Sequence, residues 1–184
     1  MRLFIALSLP EEVRERLSLL AHGLPSARWV APESLHLTLR FIGEVDGPQA
    51  RDLDDMLSTI DLPEFELTLR GLGTFDEGRR LRSLWAGVEA NEPLQRLQAK
   101  IESAAQRAGL PAERRKFKPH VTLARFKDNP PELKLQHYLA AHGLFRCGPF
   151  PVEDFVLFSS FLAHTGALYS PEAVYPLERV AAYG

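Results

Sequence analysis

The pattern His-x-Thr-Leu occurs twice in the chain, as "HLTLRFIG" from His36 and as "HVTLARF" from His120. Each copy alternates as a half-buried strand does. In the first, Leu35, Leu37, Leu39 and Phe41 fall on one face, and His36, Thr38 and Arg40 on the other. In the second, Val121 and Leu123 face one way, and His120 and Thr122 the other. A fold for this chain must cover two apolar strand faces. It must also leave two faces open, each showing an imidazole and a hydroxyl about 7 Å apart along the strand.

The same order of elements surrounds both copies. An apolar strand, Leu3–Leu9, opens the chain, and Pro10, Glu11 and Glu12 suit the first turn of a helix. Val13, Leu17, Leu20 and Leu24 make one helical face that Pro25 ends. The short segment "ARWVAP" leads to the His36 strand. Gly43, Asp46, Gly47 and Pro48 mark a loop, and a helix from Gln49 to Ile60 carries Leu53 and Leu57. "FELTLRGLG" then reads as a strand and "DEGRR" as a turn. The order restarts with the strand "SLWAGVEA" and a helix on Leu94, Leu97, Ile101, Ala105 and Ala108, ended by Gly109. A basic loop, "PAERRKFKP", leads to the His120 strand. The helix "PPELKLQHYLAAHG" and closing strands in "FPVEDFVLFSSFL" and "ALYSPEAVYPLE" complete the chain. The repetition predicts a duplicated α+β unit, although no residue-level repeat extends beyond the motif.

A chain of 184 residues suits one domain spanning 1–184, or two small lobes sharing a core. The net charge of −2 does not steer the whole molecule toward polyanions, so nucleic-acid affinity needs a local patch. Cys147 is the only cysteine, which excludes an internal disulfide and a thiolate metal cage and fits a reducing compartment. The opening "MRLFIALSLPEEV" has an apolar run at the short limit for a signal core. Glu11 and Glu12 follow at once, and no small-x-small cleavage site appears. No run approaches the ~20 residues of a membrane span. The reading is a cytoplasmic protein without a membrane segment, and a monomer.

Two imidazoles can divide acid and base work near neutral pH, one neutral and one protonated. Threonine hydroxyls can donate to anionic oxygens. The set suits in-line displacement at phosphorus and requires neither metal nor cofactor.

The paired H-x-T-L motifs, the opening "RLFIALSLP" and the form "HVTLAR" resemble the RNA 2′,3′-cyclic phosphodiesterases, also called 2′-5′ RNA ligases, of the two-histidine phosphoesterase superfamily. The resemblance spans nearly the whole chain. It implies a bilobal α+β fold, with two antiparallel sheets and outer helices around a central cleft. It implies hydrolysis of an RNA terminal 2′,3′-cyclic phosphate to a 2′-phosphomonoester, with reversible 2′-5′ ligation when a 5′-hydroxyl attacks instead of water. It implies His36 as proton donor, His120 as proton acceptor, and Thr38 and Thr122 as phosphate-binding hydroxyls.

Four cations are candidates for substrate binding. Arg40 has the strand parity of His36. Arg125 has the opposite parity to His120, and a bulge would be needed to return it to the cleft. Arg115 and Lys118 belong to the basic loop before His120, either a phosphate-tracking rim or a solvated loop. Phe4, Trp29, Phe161 and Tyr169 could stack a base, but aromatics in strands more often fill a core. His22, His137, His142 and His164 show no interpretable spacing. Two other readings compete. A non-catalytic nucleotide- or RNA-binding module would not need both histidines and both threonines. A metal-dependent hydrolase lacks an evident third ligand.

Overall fold

The computed structural model describes residues 1–181, so the last three residues of the expected domain lie outside the described residues. Nine strands and four helices follow in the order β1 (Arg2–Ser8), α1 (Glu11–Ser18), β2 (Ala27–Trp29), β3 (His36–Glu44), α2 (Gly47–Leu57), β4 (Phe65–Glu77), β5 (Arg80–Val88), α3 (Glu92–Arg107), β6 (His120–Phe126), α4 (Glu132–His142), β7 (Arg146–Val152), β8 (Asp154–Ala163) and β9 (Gly166–Pro176). No helix is long and apolar enough to cross a membrane, among the described residues.

Local chemistry sets most element ends. Asp46 caps α2 by accepting from the Gln49 amide at 2.8 Å, and Pro48 falls in the first turn. Gly47 and Pro48, expected in a loop, therefore begin the helix. Asn91 caps α3 in the same way, at 2.9 Å from the Leu94 amide, and Gly109 leaves it at φ +90°. Helix α1 stops at Ser18, before the end of its apolar face. Leu20 and Leu24 stay buried in a non-helical turn that bends at Gly23, φ +84°. The run from Phe150 is two strands, because β7 ends at Val152 and β8 begins at Asp154. The segment before the His36 strand adds a short strand, β2, to β6.

The strands form one antiparallel sheet ordered β7-β4-β5-β6-β3-β1-β8-β9, so the two expected sheets are joined edge to edge. The join is a single pair, Leu37 opposite Val121, the second residues of the two motifs. Outward from it, β3-β1-β8-β9 mirrors β6-β5-β4-β7. The repeated units exchange strands. β4, which follows the first motif and its helix, pairs with β5, and β8 returns to pair with β1. Helix α3 packs on α2, β3 and β4. The core is continuous, with Ile5, Leu37, Leu53, Leu69, Leu84, Leu97, Ile101 and Val121 fully buried.

Both motif strands carry a bulge at the same position. Along β3, Thr38 faces Ala6 and Arg40 faces Ile5, which leaves Leu39 as the extra residue. Along β6, Thr122 faces Trp85 and Ala124 faces Leu84, which leaves Leu123 extra. Beyond each bulge the faces exchange. Arg40 and Ala124 turn to the core, at 7% and 0% exposure, and Phe41 and Arg125 turn outward.

Arg40 is therefore not a substrate-facing cation, contrary to its parity in the sequence. Its Nε donates to Glu102 Oε2 at 2.6 Å, its Nη1 to the Phe41 carbonyl at 2.7 Å and its Nη2 to the Pro111 carbonyl at 2.6 Å. Glu102 also accepts from the Glu113 amide at 2.9 Å. This network ties β3 and α3 to the loop that leads to His120. Burial alone would raise the Glu102 carboxyl. The bonds from Arg40, the Glu113 amide and Gln106, with the Arg40 charge, hold it down at about 2. Glu102→Ala strands a buried guanidinium and is expected to cost about 3 kcal/mol in urea unfolding. Glu92→Ala, which removes the exposed pair with Arg96, should cost under about 1 kcal/mol.

Candidate active site

Side chains of directly opposed antiparallel residues point to the same side of a sheet. Leu37 and Val121 oppose each other and are both fully buried, so their motif neighbours share the other face. His36, Thr38, His120 and Thr122 thus converge on one surface across the join.

The two imidazoles are held alike. His36 Nδ1–H donates to the Ser34 carbonyl at 2.7 Å, and His120 Nδ1–H donates to the Lys118 carbonyl at 2.6 Å. A carbonyl can only accept, so each neutral ring carries its proton on Nδ1 and offers the Nε2 lone pair. The Thr38 hydroxyl lies 3.0 Å from His36 Nε2. Thr122 stands opposite Trp85 on β5.

The bulge in β6 brings Arg125 to this surface, where its charge acts on both histidines. Burial is the main force pulling His36 below its ordinary 6.5. The Ser34 carbonyl opposes that pull, and Arg125 and His120 reinforce it. His120 is likewise lowered first by burial, against the Lys118 carbonyl, and then by the charges of Arg125 and Lys118.

Aromatic rings wall each histidine. Phe4 lies 5.0 Å and Tyr169 5.3 Å from the His36 ring, and Phe158 stacks on Phe4 at 5.2 Å. On the other side, Phe75 meets His120 edge-on at 4.9 Å, and Trp85 lies 5.9 Å away. Lys118 Nζ sits 5.4 Å from the centre of the Phe75 ring and 5.6 Å from that of Trp85. Trp85 lies across Gly73, where any Cβ would come within 2.3 Å of its ring.

Of the four candidate cations, the fold brings Arg125 and Lys118 to the histidines. Arg40 is in the core network. Arg115 is out on its loop against Glu113, with 86% of its side chain exposed. Phe4 and Tyr169 reach the site, whereas Trp29 packs toward Tyr138. Phe75 and Trp85 were not among the sequence candidates. Their signal is register, since Trp85 falls opposite Thr122 only after β5 and β6 are paired. His22, His137 and His142, with Lys134, line a separate cavity of about 320 Å³ that contains neither motif. No group of three or more His, Cys, Asp or Glu side chains forms a metal cage among the described residues.

The 2′-5′ RNA ligase superfamily model matches residues 9–160. The chain belongs to that superfamily. Within it, the chain is 36% identical over 151 residues to the RNA 2′,3′-cyclic phosphodiesterase of Aeropyrum pernix, covering 82% of this chain and 86% of the relative. It is 32% identical over 180 residues to the protein of the same name from Thermotoga maritima, covering 92% and 91%. Among solved structures it superposes on a Thermus thermophilus protein with a TM-score of 0.80 at 30% identity, covering 97% and 99% of the two chains. Escherichia coli LigT complexed with 3′-AMP gives a TM-score of 0.76 at 31% identity, covering 96% and 97%. This superfamily member therefore has the α+β fold expected from its sequence.

The lowered histidines give a pH signature. Between the folded values and 6.5 the unfolded chain binds more protons, so stability should fall as pH drops below 6.5. The loss should be complete once pH has passed both folded values. His36→Asn/His120→Asn should flatten this slope in urea melts. In NMR titrations both rings should titrate below 6.5 in the free protein, and inorganic phosphate should move them upward.

Proposed function

We propose that this protein hydrolyses RNA terminal 2′,3′-cyclic phosphate to a 2′-phosphomonoester, with His120 as base and His36 as acid. The observation that carries the reading is the placing of both His-x-Thr pairs and Arg125 on one face across the Leu37–Val121 join. Relatives named RNA 2′,3′-cyclic phosphodiesterase at 36% and 32% identity support it. So do structures of Escherichia coli LigT with 3′-AMP and with phosphate.

The phosphoryl group would sit between the histidines, its non-bridging oxygens on Thr38, Thr122 and Arg125. His120 Nε2 takes a proton from water as the water oxygen bonds to phosphorus. The P–O3′ bond breaks on the opposite side, and O3′ takes the proton from His36 Nε2. The assignment of roles matches the asymmetry in charge. Arg125 and Lys118 both oppose protonation of His120, which suits a base. His36 is opposed by Arg125 and by His120, and the second of these vanishes while His120 is neutral. The negative charge of the bound diester favours the His36 imidazolium. Lys118 would line the side from which water enters. The single domain would be one pseudo-twofold unit working as a monomer, and 2′-5′ ligation would be the same displacement of O3′ with a 5′-hydroxyl in the place of water.

The test is a short RNA ending in 2′,3′-cyclic phosphate, incubated with excess chelator. The expected product is the 2′-phosphate, formed at the same rate with and without chelator. His36→Ala and His120→Ala should each lower kcat by about 10²–10⁴. The double variant should lose far less than the product of the two losses, because the pair acts as a unit. Full activity in His120→Ala would overturn the proposal, and binding without turnover would favour a nucleotide-binding module.

A further inference from the structure

In-line displacement divides the site into two sides. The attacking oxygen enters beside the base, and the ribose that carries the leaving O3′ lies beside the acid. Resting on the function proposed above, the terminal nucleoside therefore belongs on the His36 side. A cavity of about 270 Å³ opens there, and its lining includes His36, Phe4, Phe158, Tyr169, Arg14 and Glu33. It is at the small end of ligand sites, the scale of one base rather than two.

The lining has two kinds of surface. Phe4, Phe158 and Tyr169 give apolar faces, with Phe4 against Tyr169 at 5.0 Å and against Phe158 at 5.2 Å. Arg14, from α1, and Glu33, from the 3₁₀ turn Pro32–Ser34 before β3, give one donor group and one acceptor group. No ion pair joins them among the described residues, although both line one cavity. Arg14 Nε is buried and has no hydrogen-bond partner. The guanidinium of a residue lining this cavity is thus not held at its Nε by a protein acceptor, and buried polar groups normally find partners. The Ser34 carbonyl, next to Glu33, orients His36, so an occupant of this cavity sits against the acid's own anchor.

We propose that this cavity reads the base of the terminal nucleotide and prefers guanine. Guanine presents two adjacent donors, N1–H and the N2 amine, that match a carboxylate. Its O6 and N7 are adjacent acceptors that match a guanidinium. Adenine and uracil lack the pair of adjacent donors, and cytosine offers a single donor group and the smaller ring. Glu33 binds the donor edge, Arg14 the acceptor edge, and the aromatic rings one face of the purine.

The test compares kcat/KM for the four nucleoside 2′,3′-cyclic monophosphates. The guanosine substrate should lead by about ten- to a hundredfold. Glu33→Gln should bring the guanosine-to-adenosine ratio to about one, and Arg14→Gln should reduce it as well, with circular dichroism confirming the fold of each variant. Four values within threefold of one another, or a lead for cytidine, would overturn the proposal. So would a ratio that survives Glu33→Gln. A loss in Arg14→Gln confined to dinucleotide substrates and equal for all bases would also overturn it, by assigning Arg14 to an upstream phosphate. Equilibrium binding of 2′-GMP against 2′-AMP reads the same preference without turnover. Selective binding with no hydrolysis would sink the hydrolase reading and keep the base site. Hydrolysis with equal binding would do the reverse.

Discussion

One backbone pairing, Leu37 opposite Val121, organises the molecule. Because the paired residues hold the same place in their motifs, the pairing creates a local twofold relation between the strands. Antiparallel geometry then leaves no choice about faces. Both leucine and valine side chains go to the core, and both His-x-Thr pairs go to the opposite surface. The mirrored order of strands on either side extends the same relation outward. A join of one pair is weak by itself. The Arg40–Glu102 network reinforces it by tying β3, α3 and the loop before His120 into one unit.

The sequence showed the motif faces as far as strict alternation holds, which is the first four residues of each copy. His36, Thr38, His120 and Thr122 were legible for that reason. The fifth and sixth residues were not, because a bulge is defined by the partner strand, and the partners lie far away in the chain. Parity alone thus misplaced Arg40, and it returned Arg125 to the cleft only on the condition of a bulge, which the structure contains. The partners that hold Arg40, Glu102 and Pro111, are 62 and 71 residues away and carry no local signal. The exchange of β4 and β8 between the units was also hidden, since element order records succession and not pairing. Asp46 was read only as a loop residue and Asn91 was not singled out, although both cap helices by local chemistry, and Gly47 and Pro48 serve the helix and not the loop.

The two half-sites are alike in how they hold an imidazole and unlike in what surrounds it. A carbonyl two residues before each histidine fixes the ring in both. Beyond the bulge, however, one copy presents Phe41 and the other Arg125. One ring stands by Phe4 and Tyr169, the other by Phe75, Trp85 and the ammonium of Lys118. The two half-sites thus offer two similar imidazoles, both held below the ordinary histidine value, in unlike surroundings.

The central claim is that acid and base act from opposite sides of one phosphorus. The stereochemistry of the reaction tests it most directly. A single diastereomer of a nucleoside 2′,3′-cyclic phosphorothioate can be opened by the enzyme in ¹⁸O-water and the configuration of the chiral 2′-product determined. The account predicts a single in-line displacement, with inversion at phosphorus and the ¹⁸O label in the 2′-phosphorothioate. Retention of configuration would contradict it, because retention requires two successive displacements through a covalent intermediate on the protein.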